Sequence, residues 1–231
     1  MLKNIVITGA SKGIGKEIAD HLSLVSNYRI INISRNKNKN PKIINYLCDI
    51  SHYNNVKKVF KKIKNIDVLI NNSGVTNFSK DQINKFDKII KTNLNGFFYC
   101  SHEAAKLLKK KKNSKIINIS SINSYQAFPN NPGYVSSKGG IKMLTKALAL
   151  DYGKFGIRVN SISPGYINSG MSKKSFKNRK KNLERKKRMI IRRWGSPKDL
   201  FGVIEFLISE KSSYITGQDI VVDGGWLAKG L

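Results

Sequence analysis

Ile5-Val6-Ile7-Thr8-Gly9-Ala10-Ser11-Lys12-Gly13-Ile14-Gly15 is the stretch that decides the fold of this chain. An apolar β-branched run meets three glycines spaced Gly-x-x-x-Gly-x-Gly, and a helical pattern follows from Ile14 to Leu24. Glycines at such a junction permit a tight turn and a close approach of backbone to a phosphate. The helix that follows offers unbonded N–H groups and the positive end of its dipole. A glycine-rich turn alone is weak evidence, because many bind nothing. Its place directly after an opening strand gives it weight.

The same alternation continues outward. Short runs at Ile30–Ile33, Ile43–Leu47, Val68–Ile70, Ile116–Ile119, Val159–Ile162 and Ile220–Val222 alternate with longer helical patterns, one carrying Val56, Val59, Phe60 and Ile63. Strands alternating with helices imply right-handed crossovers, and nearly continuous apolar runs imply strands covered on both faces. The expected fold class is α/β, a doubly wound Rossmann-type three-layer sandwich of about seven mostly parallel strands. No linker or repeat divides residues 1–231, so one nucleotide-binding domain is expected. Residues 166–195 break the rhythm with many charges and few apolar anchors, between Pro164-Gly165 and Gly195-Ser196-Pro197. Long strandless segments of this kind serve as lids.

No run of 18 apolar residues exists and the N-terminus reads as a strand, so neither a membrane span nor a signal peptide is expected. Cys48 and Cys100 have no paired spacing, and His21, His52 and His102 have no ligand spacing. No metal site is expected, and a reducing, cytoplasmic setting is. The formal charge is +29. Lysine, asparagine and isoleucine abound everywhere, as in an AT-rich composition, so most of this charge reads as compositional. The sharper reading is an acidic partner. A non-enzymatic nucleic-acid-binding protein is the rival class, but no helix-turn-helix, zinc-finger or RNA-recognition signature supports it.

Tyr134 and Lys138 stand four apart on a helical pattern, which places them on one face. A phenol with a pKa of about 10 is a poor acid–base group near neutrality, and a neighbouring ammonium lowers it. Ser121 ends the strand that begins at Ile116, where doubly wound folds hold ligands, and its hydroxyl can bond a carbonyl oxygen gaining charge. Ser120 is its adjacent rival.

Together with Asn71-Asn72-Ser73-Gly74, Asn93 in Lys-Thr-Asn-Leu, Pro164-Gly165-Tyr166-Ile167 and Asp223-Gly224-Gly225, these motifs resemble the classical short-chain dehydrogenase/reductase family over nearly the whole chain. The family's thirteen-residue Ser…Tyr spacing selects Ser121. Ser73 replaces the family's usual alanine. The resemblance implies catalytic roles for Asn93, Ser121, Tyr134 and Lys138, with Asn93 holding a relay water. It implies nicotinamide-cofactor contacts from Gly9, Ser11, Lys12, Gly13, Ile14, Gly15, Arg35, Asp49, Ile50, Asn71, Ser73, Gly74, Tyr134, Lys138, Pro164, Gly165, Ile167 and Ser169. The second strand ends in Ser34-Arg35 with no carboxylate for a ribose 2′-hydroxyl. Arg35 and Lys12 suit a 2′-phosphate instead, so NADP(H) is the expected cofactor and NAD(H) the alternative.

The implied activity is that of a 3-oxoacyl-(acyl-carrier-protein) reductase. Arg193-Trp194-Gly195-Ser196-Pro197 resembles sugar-acid and polyol dehydrogenases instead. Five of the eight arginines, Arg179, Arg185, Arg188, Arg192 and Arg193, fall within the 166–195 segment, which predicts an anionic or carrier-bound substrate. By family analogy a homotetramer joined through the helices bearing Phe97 and Leu144 is expected.

Overall fold

The computed structural model describes residues 2–76 and 82–229. In chain order it has β1 (Lys3–Thr8), α1 (Gly13–Leu22), β2 (Tyr28–Ser34), β3 (Ile43–Leu47), α2 (Tyr53–Phe60) and β4 (Val68–Asn71). There follow α3 (Gln82–Ile90), α4 (Gly96–Leu108), β5 (Ser114–Ile119), α5 (Pro132–Gly153) and β6 (Ile157–Pro164). The chain continues through α6 (Lys173–Lys177), α7 (Arg179–Arg188), α8 (Phe201–Ile208) and β7 (Asp219–Val222). The strands form one seven-stranded sheet ordered β3-β2-β1-β4-β5-β6-β7. Every pairing is parallel, more uniform than the mostly parallel sheet expected.

Alternate strand residues serve opposite faces, as the two-residue period of a strand requires. Val6, Ile31, Leu69, Ile116 and Val159 pack under α2, α4 and α5, against Val59, Phe97, Leu108 and Ile141. Ile5, Ile30, Ile70, Ile117 and Ile162 pack under α1 and α8, against Ile18, Leu22, Ile204 and Leu207. Both faces are covered, which is why β4 and β5 are buried at every position. Two helices are shorter than their patterns suggest, with Leu24 beyond α1 and Ile63 beyond α2.

Strand order reverses between β1 and β4. That switch point is where a parallel doubly wound sheet leaves a crevice beyond its carboxyl ends. The glycine-rich turn follows β1, Asn72–Gly74 follow β4, Ser121 follows β5 and Gly165 follows β6. All therefore open on one rim.

Residues 166–195 are not an open loop. A 3₁₀ turn (Gly170–Ser172), α6 and α7 occupy the segment, and a parallel bridge joins Ile167 to Gly195 at its base. Ile167, Met189 and Trp194 are buried, so it has more apolar anchorage than its charge suggests.

Candidate active site

Gly9 and Gly13 adopt φ of +71° and +63°, conformations that favour glycine. A Cβ on Gly15 would lie 2.2 Å from Asn72 Nδ2 and 2.6 Å from the Gly9 carbonyl oxygen. Asn72 itself clasps the turn, donating from Nδ2 to the carbonyls of Thr8 (3.0 Å) and Gly9 (3.2 Å). The Thr8 hydroxyl accepts from the Asn72 and Ser73 N–H groups at 3.0 and 3.1 Å. The chain end of β4 is thereby bolted to the turn after β1.

A second set of asparagines holds the turn from the other side. Asn32 Oδ1 accepts from the Ala10 N–H (3.0 Å), and Asn38 Nδ2 donates to the Ala10 carbonyl (2.7 Å). Asn45 Oδ1 accepts from Asn32 Nδ2 and from the Asn38 N–H. None of Asn32, Asn38, Asn45 and Asn72 was expected as a site residue. Asn72 belongs to the Asn71–Gly74 motif, but asparagine is so common here that only spatial convergence distinguishes the other three. No side chain caps α1, because Lys12 at its N-cap makes no such bond. Its dipole end and first-turn N–H groups are therefore turned to the rim, an arrangement that suits a pyrophosphate.

Arg35 and Asp49 border one surface hollow with Asn55, Lys58 and Lys62. Burial pushes the Asp49 carboxyl up, but hydrogen bonds from Ser51 and the nearby Arg35 charge bring it below its ordinary value. Lys58 and Lys62 on α2 add cations to this hollow that sequence spacing did not mark.

Asn93 is fully buried in a π-helical turn (Lys91–Asn95) between α3 and α4. Such bulges recur at functional sites. Its side-chain amide is engaged on both sides: Oδ1 accepts from the Val75 N–H (2.8 Å), and Nδ2 donates to the Val75 carbonyl and to Ser137 Oγ. A relay water at this residue would therefore have to be held by its main chain.

Ser121 caps the 3₁₀ turn Ile122–Ser124 in extended conformation, its Oγ accepting from the Asn123 N–H at 3.2 Å. Its rival Ser120 turns away, donating to the Lys138 carbonyl at 3.3 Å. Tyr134 lies in the first turn of α5, and Lys138 follows one turn later with Nζ 5.5 Å from the Tyr134 ring centre. Lys138 Nζ donates to the Ile119 carbonyl at 2.8 Å. Burial holds the Tyr134 phenol above its ordinary pKa, and a hydrogen bond with Ser121 opposes this. Burial brings the Lys138 ammonium down to about 7. The lysine expected to lower the phenol is itself only partly charged near neutrality, so burial outweighs the pairing in this arrangement.

Pro164, Gly165, Ile167 and Ser169 lead from β6 into the 166–195 segment, and a Cβ on Gly165 would collide with Asp223 at 2.7 Å. The arginines of this segment are not equivalent. Arg193 forms a two-pronged pair with Asp199 at 2.9 and 2.6 Å, which holds that carboxyl well below the usual range. The Arg185 guanidinium lies 4.4 Å over the Tyr166 ring, and Arg188 lies 4.5 Å over Trp226. An anion is thus not offered five free arginines, as the sequence suggests.

A family model described as enoyl-(acyl carrier protein) reductase matches residues 9–227. The 3-oxoacyl-(acyl-carrier-protein) reductase of Rickettsia typhi is 35% identical over 237 residues, covering 97% of each chain. The ligand-free aldohexose dehydrogenase of Thermoplasma acidophilum superposes with a TM-score of 0.91 at 30% identity, covering 99% of this chain and 95% of the other. A gluconate 5-dehydrogenase of Burkholderia cenocepacia, solved with NADP and tartrate, gives 0.92 at 27% identity, covering 98% and 95%.

Proposed function

The chain belongs to the classical short-chain dehydrogenase/reductase family, and on that premise we propose an NADP(H)-dependent enzyme that interconverts a carbonyl and a secondary alcohol on an anionic substrate. One observation carries the reading: Ser121, Tyr134 and Lys138 gather at the carboxyl rim beside the switch point, next to an uncapped helix N-terminus. The residues fit a nicotinamide cofactor. The α1 terminus suits its pyrophosphate, and the hollow bearing Arg35, Lys58 and Asp49 suits the adenosine end. Arg35 and Lys58 support NADP(H) over NAD(H). When bound, the cofactor supplies or accepts the hydride.

The chain's own groups handle the oxygen and its proton. Ser121 Oγ bonds the substrate oxygen and fixes it beside Tyr134. Tyr134 gives its phenolic proton to that oxygen in reduction and takes it back in oxidation. A phenol kept protonated by burial is ready for the reductive direction at neutral pH. Lys138, tied to Ile119, holds its amino group 5.5 Å from the Tyr134 ring. Asn93 holds the turn at Val75 and, through its main chain, a relay water.

Residues 166–195 act as the substrate lid of a single domain, and their cations favour an acidic substrate. The Rickettsia relative supports a 3-oxoacyl thioester, and the gluconate and aldohexose dehydrogenases support a sugar or sugar acid. Self-association through the apolar groove between α4 and α5, lined by Leu94, Phe98, Met143 and Leu144, fits a homotetramer. Among the described residues no helix is long and apolar enough to cross a membrane, which is compatible with a cytoplasmic enzyme. The direct test is a panel of acetoacetyl-CoA, aldonates, uronates and polyols with both cofactors. Turnover of at least one member, lost in Tyr134→Phe, is expected. A panel that stays silent with both cofactors would sink the reading.

A further inference from the structure

Buried polar atoms without partners concentrate in one place. Among the described residues five such side-chain atoms lie between Ser175 and Trp226: Ser175 Oγ, Asn182 Oδ1, Arg185 Nη1, Trp194 Nε1 and Trp226 Nε1. Native folds leave few of these. Each that stays unpaired is destabilising. The last three are donors only, because neither an indole N–H nor a guanidinium can accept. Their missing partner must therefore be an acceptor.

The three donors surround a single ring. Trp194 lies 5.3 Å and Trp226 4.6 Å from Tyr166, both tilted steeply to it, and Arg185 stacks over its face. Trp194 and Trp226 are only 5% and 6% exposed. The box abuts the reacting end of the site, since Ile122, next after Ser121, packs with Trp226 and Met189. Arg185 and Arg188 form no ion pair among the described residues, whereas Arg193 has Asp199. With ring faces occupied by guanidiniums and by one another, what the box offers a ligand is N–H edges and positive charge.

We infer that this box is the anchoring subsite for the carboxylate of a compact sugar acid, with Arg185, Trp194 and Trp226 as its donors. The inference rests on the oxidoreductase reading above and names its substrate class. A carboxylate presents about four lone-pair sites and a compensating charge, and the hydroxyls beside it supply further acceptors. A plain acyl chain brings neither to this box and leaves the shielded Arg185 Nη1 without an acceptor. The three donor atoms are shielded from solvent, so the acceptor reaches them as α7 lifts from Tyr166. That helix buries none of its own residues, so lifting it costs chiefly the stacking of Arg185 and Arg188 on the aromatic rings.

The chain has two tryptophans, both in the box, so its indole fluorescence reports on this subsite alone. The probes are D-gluconate, D-galactonate and D-glucuronate, with sorbitol as the uncharged control, titrated with and without oxidised cofactor. At least one acid should change the emission saturably, and sorbitol should not. Arg185→Gln should raise the midpoint about tenfold or more, which is about 1.4 kcal/mol. Trp194→Phe and Trp226→Phe keep a ring, lose one N–H and leave one reporter, and each should raise it several-fold. Lys180→Gln, an exposed cation of the same helix, should leave it within about twofold. No response to any acid, an equal response to sorbitol, or equal effects of Arg185→Gln and Lys180→Gln would each overturn the inference. Tyr134-dependent reduction of acetoacetyl-CoA without any fluorescence response would remove the sugar-acid subsite and leave the oxidoreductase reading standing. A saturable acid response in a protein that turns over nothing would do the reverse.

Discussion

The rim of the sheet and the lid above it are built on opposite principles. On the rim, most polar groups are tied down several times over, Asn71 Oδ1 and Asn131 Oδ1 being exceptions: Asn72 clasps the glycine-rich turn, Asn32 and Asn38 pin Ala10, and Asn93 is bonded on both sides. In the lid and the chain just beyond β7, shielded donor atoms of Arg185, Trp194 and Trp226 lack partners, and no residue of α7 is buried. Satisfied networks rigidify and hold geometry, whereas unsatisfied ones ask for a ligand. Chemistry is placed on the over-determined part and substrate choice on the under-determined part.

The largest effect should come from the rim. Tyr134→Phe removes only the phenolic oxygen and should lower kcat by about 10²–10⁴-fold. Cofactor affinity, followed by isothermal titration, should stay within about twofold. A variant with near-native kcat would move the proton transfer off the rim.

Gly15→Ala tests how rigid the turn is. The new Cβ must displace Asn72 or the Gly9 carbonyl, and neither is a free end. Overpacking of this kind costs about 1–3 kcal/mol, and cofactor Kd should rise about tenfold or more. A tolerant turn, with unchanged Tm and Kd, would erase the contrast with the lid.

Cofactor preference sharpens the rim at its far end. NADPH should exceed NADH in kcat/KM by about tenfold, and Arg35→Ala should narrow that gap, in keeping with a 2′-phosphate bound beside Arg35. Steady-state assays with both cofactors decide it, and parity between them would make Arg35 a solvated surface charge.

Rigidity on the rim has a pH signature. Lys138, lowered to about 7 by burial from an ordinary 10.5, binds fewer protons folded than unfolded between these values. Stability should therefore rise with pH just above 7, by about 1–2 kcal/mol up to pH 8.5. Above about pH 9 the buried thiols act oppositely, since burial raises Cys48 to about 11 and Cys100 with it. Urea unfolding at pH 7 and 8.5, with Lys138→Met as the reference, should show the slope in the wild type and not in the variant.

The smallest effect belongs to the lid. Long-range attraction from α7 should make kcat/KM for an anionic substrate fall a few-fold between low and physiological salt, as screening shortens to about 8 Å. The value for an uncharged ketone that the enzyme turns over should not follow it. Equal salt responses would reduce the lid charge to composition.

Much of the rim was legible because its signals are local. Gly9, Gly13 and Gly15 sit where a strand meets a helix, Tyr134 and Lys138 are one helical turn apart, and Ser121 ends an apolar run. The seven strands follow from the same local alternation of apolar runs and helical periods. The asparagine clasp was not legible. Asn32 lies within β2, Asn38 in the connection after it and Asn72 after β4; only Asn72 falls in a motif the sequence marks, and nothing local marks the other two in so asparagine-rich a chain. The π turn at Asn93 has no sequence pattern of its own either.

In the lid, the sequence determined the charge and the arginine enrichment, and it stopped there. Which arginine is spent and which is available was decided by tertiary packing. Arg193 and Asp199 are six apart and meet because the Ser196 turn folds the chain back. Arg185 meets Tyr166 and Trp194, and Arg188 meets Trp226, only because β6, the lid and the chain beyond β7 converge above Ser121. Local periodicity fixes strands, helices and turns because their hydrogen bonds and apolar faces lie within a few residues. The pairing of a buried charge depends on every segment that closes over it, and that is settled only when the sheet is assembled.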